Sequence, residues 1–357
     1  MTRNLKIILI SAGAAIAVLA SAFSLMKRAQ EAQANRFDWD TIMSAVQTRG
    51  YKYVIAEVEK RLAAHPNDAI LHYYRGRLLY DLDKSKEALA EADKAISMGY
   101  AQEMSFVLKA MVYGRLLGDY SGQGMMASKA LTFDPTYEFA YLVRAEAEYA
   151  LGDYKTCAAD AASYQHMRPD EPDGYEYGLL CLERLGDYAG AQADGLRVLS
   201  IVPDSHAGLW RLGRLYALQG LHKRAIKKFS EAIKLSGGRP KYYLDRAASC
   251  AAEGDFSCEG HDYYSALGWQ EVSGYASYYY LLGSALHRTG DRKPGLAAAD
   301  SAIGMEPLSP DNYGLRGRLR AELGDTVGAK KDFRKMSELD PARAAEAAAL
   351  VQKLKKK

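Results

Sequence analysis

The sequence has no large excess of charge of either sign. Its 357 residues include 47 Lys and Arg against 44 Asp and Glu, for a formal net charge of +3. The basic residues are scattered along the chain rather than gathered in one patch, so the charge pattern does not indicate a nucleic-acid-binding protein. Hydrophobic residues make up 48% of the chain, which is enough for a large folded core and argues against disorder.

The sequence also lacks the short motifs of common enzymes. It has no P-loop and no GxSxG, and none of its seven histidines belongs to an HExxH pair. Cys258 and His261 lie close together without further ligands nearby, and residues 122–127 match the letters of a dinucleotide fingerprint without a preceding strand. We therefore predict that the protein is not an enzyme and has no catalytic residue, no metal site and no cofactor.

One long apolar run stands at the N-terminus. Residues 7–26 carry no charge, and Lys27 and Arg28 follow directly. Such a run is long enough to cross a bilayer, although a signal peptidase could also cut after residues 20–22, which read Ala-Ser-Ala. The basic pair favours a retained anchor. Residues 1–35 are thus predicted to be a transmembrane anchor or signal peptide with a short linker. The body is expected to be extracytoplasmic and periplasmic, or an exported soluble form, and the orientation stays open.

A short motif recurs at a fixed spacing along the body of the chain. The tetrapeptide LGDY begins at Leu117, Leu151 and Leu185, each copy 34 residues after the last, and similar Gly-containing turns continue the spacing. Most turns are followed seventeen residues later by Pro, so each period holds two segments of about fourteen residues. Apolar residues in these segments recur every three or four positions, which indicates pairs of short helices rather than strands.

This pattern resembles the tetratricopeptide repeat family. The segment from His206 to Arg239 carries the residues of the family at their characteristic positions, namely Leu209, Leu212, Gly213, Tyr216, Gly220, Ala225, Phe229 and Ala232. The resemblance implies an all-α fold, a right-handed α-solenoid of about nine helix-turn-helix repeats over residues 36–343. The apolar run would precede it as one N-terminal hydrophobic helix. Residues 344–357 would form a capping helix with a basic tail.

The resemblance also implies a concave groove, lined by the first helix of each repeat, in which protein or peptide partners bind. Exposed Trp, Tyr and Arg residues often anchor interfaces. The side chains predicted to contact a partner are Tyr73, Arg77, Tyr80, Arg115, Tyr149, Trp210, Arg214, Tyr280 and Arg318. The alternative is partial burial between neighbouring repeats. A clamp of Lys and Asn residues on a peptide C-terminus is not expected, because only two Asn residues follow Arg36.

Tyrosine is the most frequent aromatic residue, with 26 copies against 8 Phe and 3 Trp. Five tyrosines recur at one position of the first helix and are predicted to pack in the core, namely Tyr141, Tyr175, Tyr243, Tyr279 and Tyr313.

The four cysteines fall into two pairs within the repeat pattern. Cys157 and Cys181 lie twelve residues before and after Pro169, so they are level on neighbouring antiparallel helices. Cys250 and Cys258 flank the turn near Gly254. Both pairs are possible disulfides in an oxidising compartment, and four small buried thiols are the alternative.

These features favour a non-enzymatic, membrane-tethered or exported scaffold that mediates protein–protein interactions in envelope complex assembly. Two alternatives stay open. One is a carbohydrate-binding module of an envelope polysaccharide machine, and the other is a cytosol-facing organelle import receptor. The sequence does not identify the partner.

Overall fold

The computed structural model describes residues 39–99 and 102–354, which are helical apart from short turns and contain no strand. No helix in these two ranges is both long and apolar enough to cross a membrane. The predicted anchor or signal peptide, residues 1–35, lies outside the described residues, as do the last three residues of the basic tail.

The chain forms two compact units, and the first ends at Val143, within a helix that continues into the second. In the first unit, consecutive helices pack against each other in sequence order. These helices are α1 (Trp39–Arg49), α2 (Tyr51–Ala64), α3 (Ala69–Asp81), α4 (Ser85–Ser97), α5 (Gln102–Met111), α6 (Tyr120–Phe133) and the start of α7 (Glu138–Leu151). A π-helical turn, Val112–Leu116, extends α5.

The second unit begins at Arg144 and repeats the same arrangement of neighbouring helices. Its helices after α7 are α8 (Tyr154–Met167), α9 (Pro172–Leu185), α10 (Tyr188–Ile201), α11 (His206–Leu218), α12 (His222–Ser236), α13 (Pro240–Ala252), α14 (Phe256–Leu267), α15 (Gln270–Ser273), α16 (Ala276–Thr289), α17 (Arg292–Met305), α18 (Pro310–Glu322), α19 (Thr326–Leu339) and α20 (Ala344–Leu354). Within each unit, this helical repeat array is consistent with a tetratricopeptide solenoid. The predicted domain boundaries, which give residues 36–343 to the solenoid and residues 344–357 to the capping helix, stay a prediction.

The LGDY motif is the turn between the two helices of a repeat. Its Gly ends the first helix in a left-handed conformation, with φ of 85° at Gly152 and 79° at Gly186, which a residue with a Cβ adopts only under strain. Its Asp begins the second helix, because the side chains of Asp153 and Asp187 accept hydrogen bonds from backbone N–H groups three residues later. The repeated letters therefore stop one helix and start the next.

Small residues allow the two helices of a repeat to approach closely. A Cβ added to Gly213 would lie 2.7 Å from the ring of Phe229, and one added to Gly317 would lie 2.5 Å from the ring of Phe333. Both phenylalanines are almost completely buried. The closeness of this packing offsets the entropic cost of Gly in a helix.

A recurring ion pair joins the helices of several repeats and was not predicted from the sequence. In the second unit, an Arg on the first helix forms two hydrogen bonds with an Asp sixteen residues later on the second helix. The carboxylates are buried and the guanidinium groups are mostly covered. The pairs are Arg144–Asp160, Arg246–Asp262 and Arg316–Asp332.

The prediction that five tyrosines pack in the core is wrong in detail, since all five are only partly buried. Three of them place the hydroxyl outside the core, where it donates to the backbone carbonyl of a Pro six residues earlier. The three bonds join Tyr141 to Pro135, Tyr175 to Pro169 and Tyr313 to Pro307, at 3.0 to 3.3 Å. These tyrosines therefore stabilise the turn between repeats, because a phenol at the edge of the core can bury its ring while its hydroxyl binds a backbone carbonyl of the turn.

Both cysteine pairs are joined by disulfides in the structure. Cys157 on α8 pairs with Cys181 on α9, with Cα atoms 6.1 Å apart. Cys250 on α13 pairs with Cys258 on α14, with Cα atoms 5.9 Å apart. These separations are within the reach of a disulfide. The oxidation state in the cell stays a prediction.

Candidate functional site

Trp210 on α11 is held in one orientation by side chains of α13. Its indole Nε1–H donates to Oδ2 of Asp245 at 2.6 Å. Its ring stacks on Tyr242, with ring centroids 5.6 Å apart and planes 28° apart. Tyr242 is fully buried, and its hydroxyl lies 2.8 Å from Nδ1 of His206. The indole is only partly buried, so a fixed aromatic surface remains accessible beside these contacts.

Three cationic side chains surround this indole. The Nζ of Lys241 lies 4.1 Å from the ring centroid, and the guanidinium carbons of Arg214 and Arg211 lie 5.3 Å and 5.9 Å from it. These distances are typical of cation–π contacts. We call Trp210, Tyr242, Asp245, Arg211, Arg214 and Lys241 the Trp210 cluster.

Burial shifts the ionisation of two groups in this cluster. It lowers the pKa of Lys241, and the charges of Arg239 and Arg211 lower it further. Burial raises the pKa of Asp245, although the indole hydrogen bond and the neighbouring cations oppose this shift. Asp245 and the indole are partly buried, so electrostatic contacts are stronger around them than at an open surface, whereas Lys241 is exposed.

A cavity of about 240 Å³ lies beside the Trp210 cluster. Its walls include both apolar and polar side chains, namely Arg214, Ala217, Leu218, His222, Phe229, Asp245 and Ser249. This volume is below the range of ordinary small-molecule sites and suits one side chain of a larger ligand.

The other residues predicted for the groove of the second unit have separate neighbours. The ring of Tyr149 contacts that of Tyr154 in a tilted arrangement, with ring centroids 5.7 Å apart. Tyr280 is partly buried against the cluster formed by Ala299, Leu315 and Leu319. Arg318 donates to a backbone carbonyl of its own helix and has a carboxylate of α20 at 3.7 Å. Of the predicted residues in this unit, the structure brings Trp210 and Arg214 together. Whether any of them binds a partner stays a prediction.

The four predicted residues of the first unit form a second cluster, in which the two tyrosines are buried and Arg115 is exposed. Arg77 lies between the rings of Trp39 and Tyr80, at 5.4 Å and 5.7 Å, and Arg115 lies 4.3 Å from Tyr80. Tyr73 is only 7% exposed and Tyr80 only 5% exposed, so the tyrosine rings offer little surface to a partner. Burial also raises the pKa of Tyr73. Both tyrosines are therefore buried in the core, more completely than the partial burial considered from the sequence.

Sequence reasoning missed four members of the Trp210 cluster: Arg211, Lys241, Tyr242 and Asp245. The last three lie on the first helix of the following repeat, 31 to 35 residues after Trp210. The available signal was their spacing, because positions one repeat apart are neighbours in an array of this kind.

One group of possible metal ligands occurs among the described residues, formed by Cys250, Cys258 and Asp262. The two cysteines are bonded to each other, and both oxygens of Asp262 accept hydrogen bonds from Arg246. These atoms are already used within the protein, so the group offers no ready coordination site.

Residues 182–240 match the sequence model of the tetratricopeptide repeat family, and this stretch contains Trp210 and Arg214. No curated protein matches the sequence. The family match and the helical repeat array together support a tetratricopeptide repeat protein.

Several solved structures are similar to this chain at low sequence identity. The MamA protein is 22% identical, with 49% of this chain and 94% of that chain covered and a TM-score of 0.44. YrrB, described as a TPR protein with an unusual peptide-binding site, is 14% identical over 55% of this chain and 98% of its own, with a TM-score of 0.49. A tetratricopeptide repeat protein from Parabacteroides merdae is 15% identical over 71% of this chain and 99% of its own, with a TM-score of 0.47.

Proposed function

We propose that this chain is a non-enzymatic scaffold that binds a protein partner through the Trp210 cluster. The observation that carries the proposal is the fixed, partly exposed indole of Trp210 beside a cavity large enough for one side chain. A preorganised aromatic residue loses little entropy on binding, and Trp and Arg are the residues that most often dominate interface energies.

The proposed setting is a cell envelope, with the body tethered to a membrane or exported across it. The apolar run of residues 7–26 supports the tether, and the two disulfide pairs favour an oxidising compartment. In this setting the scaffold would help to assemble or maintain envelope complexes.

Affinity capture with paired variants tests the binding proposal. The full-length chain and its Trp210→Ala variant are each immobilised and exposed to native envelope extract, and captured proteins are then purified and titrated. We expect at least one protein that binds the unaltered chain and binds the variant about thirtyfold more weakly, which is the usual effect of removing an interface anchor. Equal binding of every captured protein by both chains would remove the proposal. Sugar binding to the purified chain on a glycan array would favour the carbohydrate-binding alternative.

A further inference from the structure

The cations of the Trp210 cluster have longer or fewer carboxylate contacts than the arginines of the buried ion pairs. Arg144, Arg246 and Arg316 each bond a buried Asp at 2.6 to 3.0 Å. Among the described residues, by contrast, Arg211 and Lys241 form no salt bridge within 4.0 Å. Arg211 is partly buried and Lys241 is exposed, so both cations remain available to a carboxylate from outside the chain.

The two carboxylates near the cluster do not balance it. Asp245 is engaged by the indole N–H of Trp210, and Glu183 lies 3.9 Å from Arg214. The Nε–H of Arg211 is buried and has no hydrogen-bond partner in the described part of the chain. Arg239 adds a further positive charge, which acts on Lys241. Around the indole itself, three cations (Arg211, Arg214 and Lys241) face one carboxylate (Asp245), which leaves an excess of positive charge there.

We infer that the Trp210 cluster recognises an acidic segment of a partner protein, whose carboxylates pair with Arg211, Arg214 and Lys241. This inference rests on the proposed function and names the chemistry of the partner. A carboxylate at this position would relieve the repulsion among the cations and satisfy the donors of Arg211, and charge-assisted bonds of this kind are strong when shielded from water.

The shape of the site favours a polypeptide over other anions. The cavity beside Arg214 has apolar walls formed by Ala217, Leu218 and Phe229, so an apolar or aromatic side chain next to the acidic residues can enter it. A nucleic acid would require a broad basic surface, whereas this chain is close to neutral overall. The occupant therefore combines negative side chains with one apolar side chain.

The test uses the full-length chain and short synthetic peptides with blocked ends, so that no terminal carboxylate contributes. The acidic probe is Glu-Glu-Phe-Glu-Glu, and the matched probes carry Gln or Lys in place of every Glu. We expect the acidic peptide to bind most tightly and to weaken with added salt, since salt screens exposed charges. Isothermal titration or fluorescence anisotropy measures the dissociation constants.

Single variants then locate the binding site. Arg214→Ala and Lys241→Ala should each weaken the acidic peptide by about fivefold or more, as expected for interface anchors. Arg224→Ala is the matched control, because Arg224 is an exposed residue on α12 and its loss changes the net charge equally. It should alter binding by less than about twofold, and circular dichroism melting checks that each variant is folded.

The outcomes separate this inference from the proposed function. Equal binding of the Gln and Glu peptides, or an equal effect of the Arg224 variant, would overturn the acidic partner. Tighter binding of an oligonucleotide or of anionic lipid vesicles at the same residues would overturn it as well. A captured protein that depends on Trp210 but is insensitive to Arg214→Ala and Lys241→Ala would leave the proposed function standing and remove this inference alone.

Discussion

The ion pair between Arg246 and Asp262 gives a sharp prediction for stability. Asp262 is fully buried, and the side chain of Arg246 is 17% exposed. Two hydrogen bonds of 2.7 and 2.8 Å join them, and a third from the same guanidinium reaches Ser230. Replacing Arg246 by Ala leaves a buried carboxylate without a cation. Removing one partner of a buried pair typically costs about 3–5 kcal/mol, and we expect about 3 kcal/mol because water can reach the space vacated by a slightly exposed side chain.

The chain contains its own control for this pair. In the repeat that begins with α16, the corresponding positions hold Leu282 and Ala298, both of which are 6% exposed. An apolar pair is therefore compatible with the same packing. The double variant Arg246→Leu with Asp262→Ala removes both charges, so its cost should be only about 1–2 kcal/mol, from the lost volume and the lost bond to Ser230.

Chemical unfolding followed by circular dichroism measures the overall change, and amide hydrogen exchange in α13 and α14 measures the local one. We expect Arg246→Ala to be less stable than the double variant by at least about 1 kcal/mol, with the largest loss of protection in α13 and α14. Similar stability of the single variant and the unaltered chain would refute the reasoning. A double variant that loses as much stability as Arg246→Leu and Asp262→Ala lose separately, added together, would also refute it, because the two residues would then act independently.

Three further measurements test the structure at separate places. Burial raises the pKa of Glu148 to about 7 and that of Asp194 to about 6. These carboxylates therefore bind protons more tightly in the folded state than in the unfolded state. The melting temperature should consequently rise as the pH falls from 8 to 5.5. Glu148→Gln combined with Asp194→Asn should flatten this rise, and an unchanged slope would contradict the assignment. Trp210→Ala should lower the free energy of unfolding by about 2 kcal/mol, because it removes the stacking contact with Tyr242 and leaves Asp245 without its hydrogen-bond donor. This loss is larger than the loss of an exposed indole would cause. Trp210→Phe should melt at a higher temperature than Trp210→Ala. Mild reductant should open the disulfide between α13 and α14 before the one between α8 and α9, because only the former contains a partly exposed cysteine, Cys258. Mass spectrometry after alkylation measures the order of opening, and the opposite order would contradict this reasoning.

The helix pairs could be predicted because their signals are local. The Gly and Asp of each LGDY turn act within a few residues of themselves, and the small residues recur at a fixed position of each period. The departures from the 34-residue spacing could be seen but not explained. The 36-residue period contains the short extra helix α15, and the π-helical turn after α5 is an irregularity that the sequence pattern does not reveal.

The Arg–Asp pairs were missed because a charged residue in a helix is normally taken as a surface residue. Arg144, Arg246 and Arg316 occupy the position at which Leu212 and Leu282 are buried, and the acidic partner always follows sixteen residues later. A comparison of the repeats with one another would have shown both facts. Two charges at matched core positions indicate a buried pair, whereas either charge alone indicates a solvated face.

The composition of the Trp210 cluster explains why this proposed binding site was harder to predict than the fold. Trp210, Arg211 and Arg214 belong to one repeat, but Tyr242 and Asp245 belong to the next and fix the orientation of the indole. A single repeat therefore encodes a helix pair but not the whole cluster, because Lys241, Tyr242 and Asp245 contact the indole from the following repeat. The residues that set the fold must recur in each repeat, while those that set recognition need to occur only once, at the junction of two particular repeats. Periodicity in the sequence consequently identifies the residues that set the fold, but it does not identify those that set recognition. The latter can be recognised only from the structure, in which packed helices place the two segments side by side.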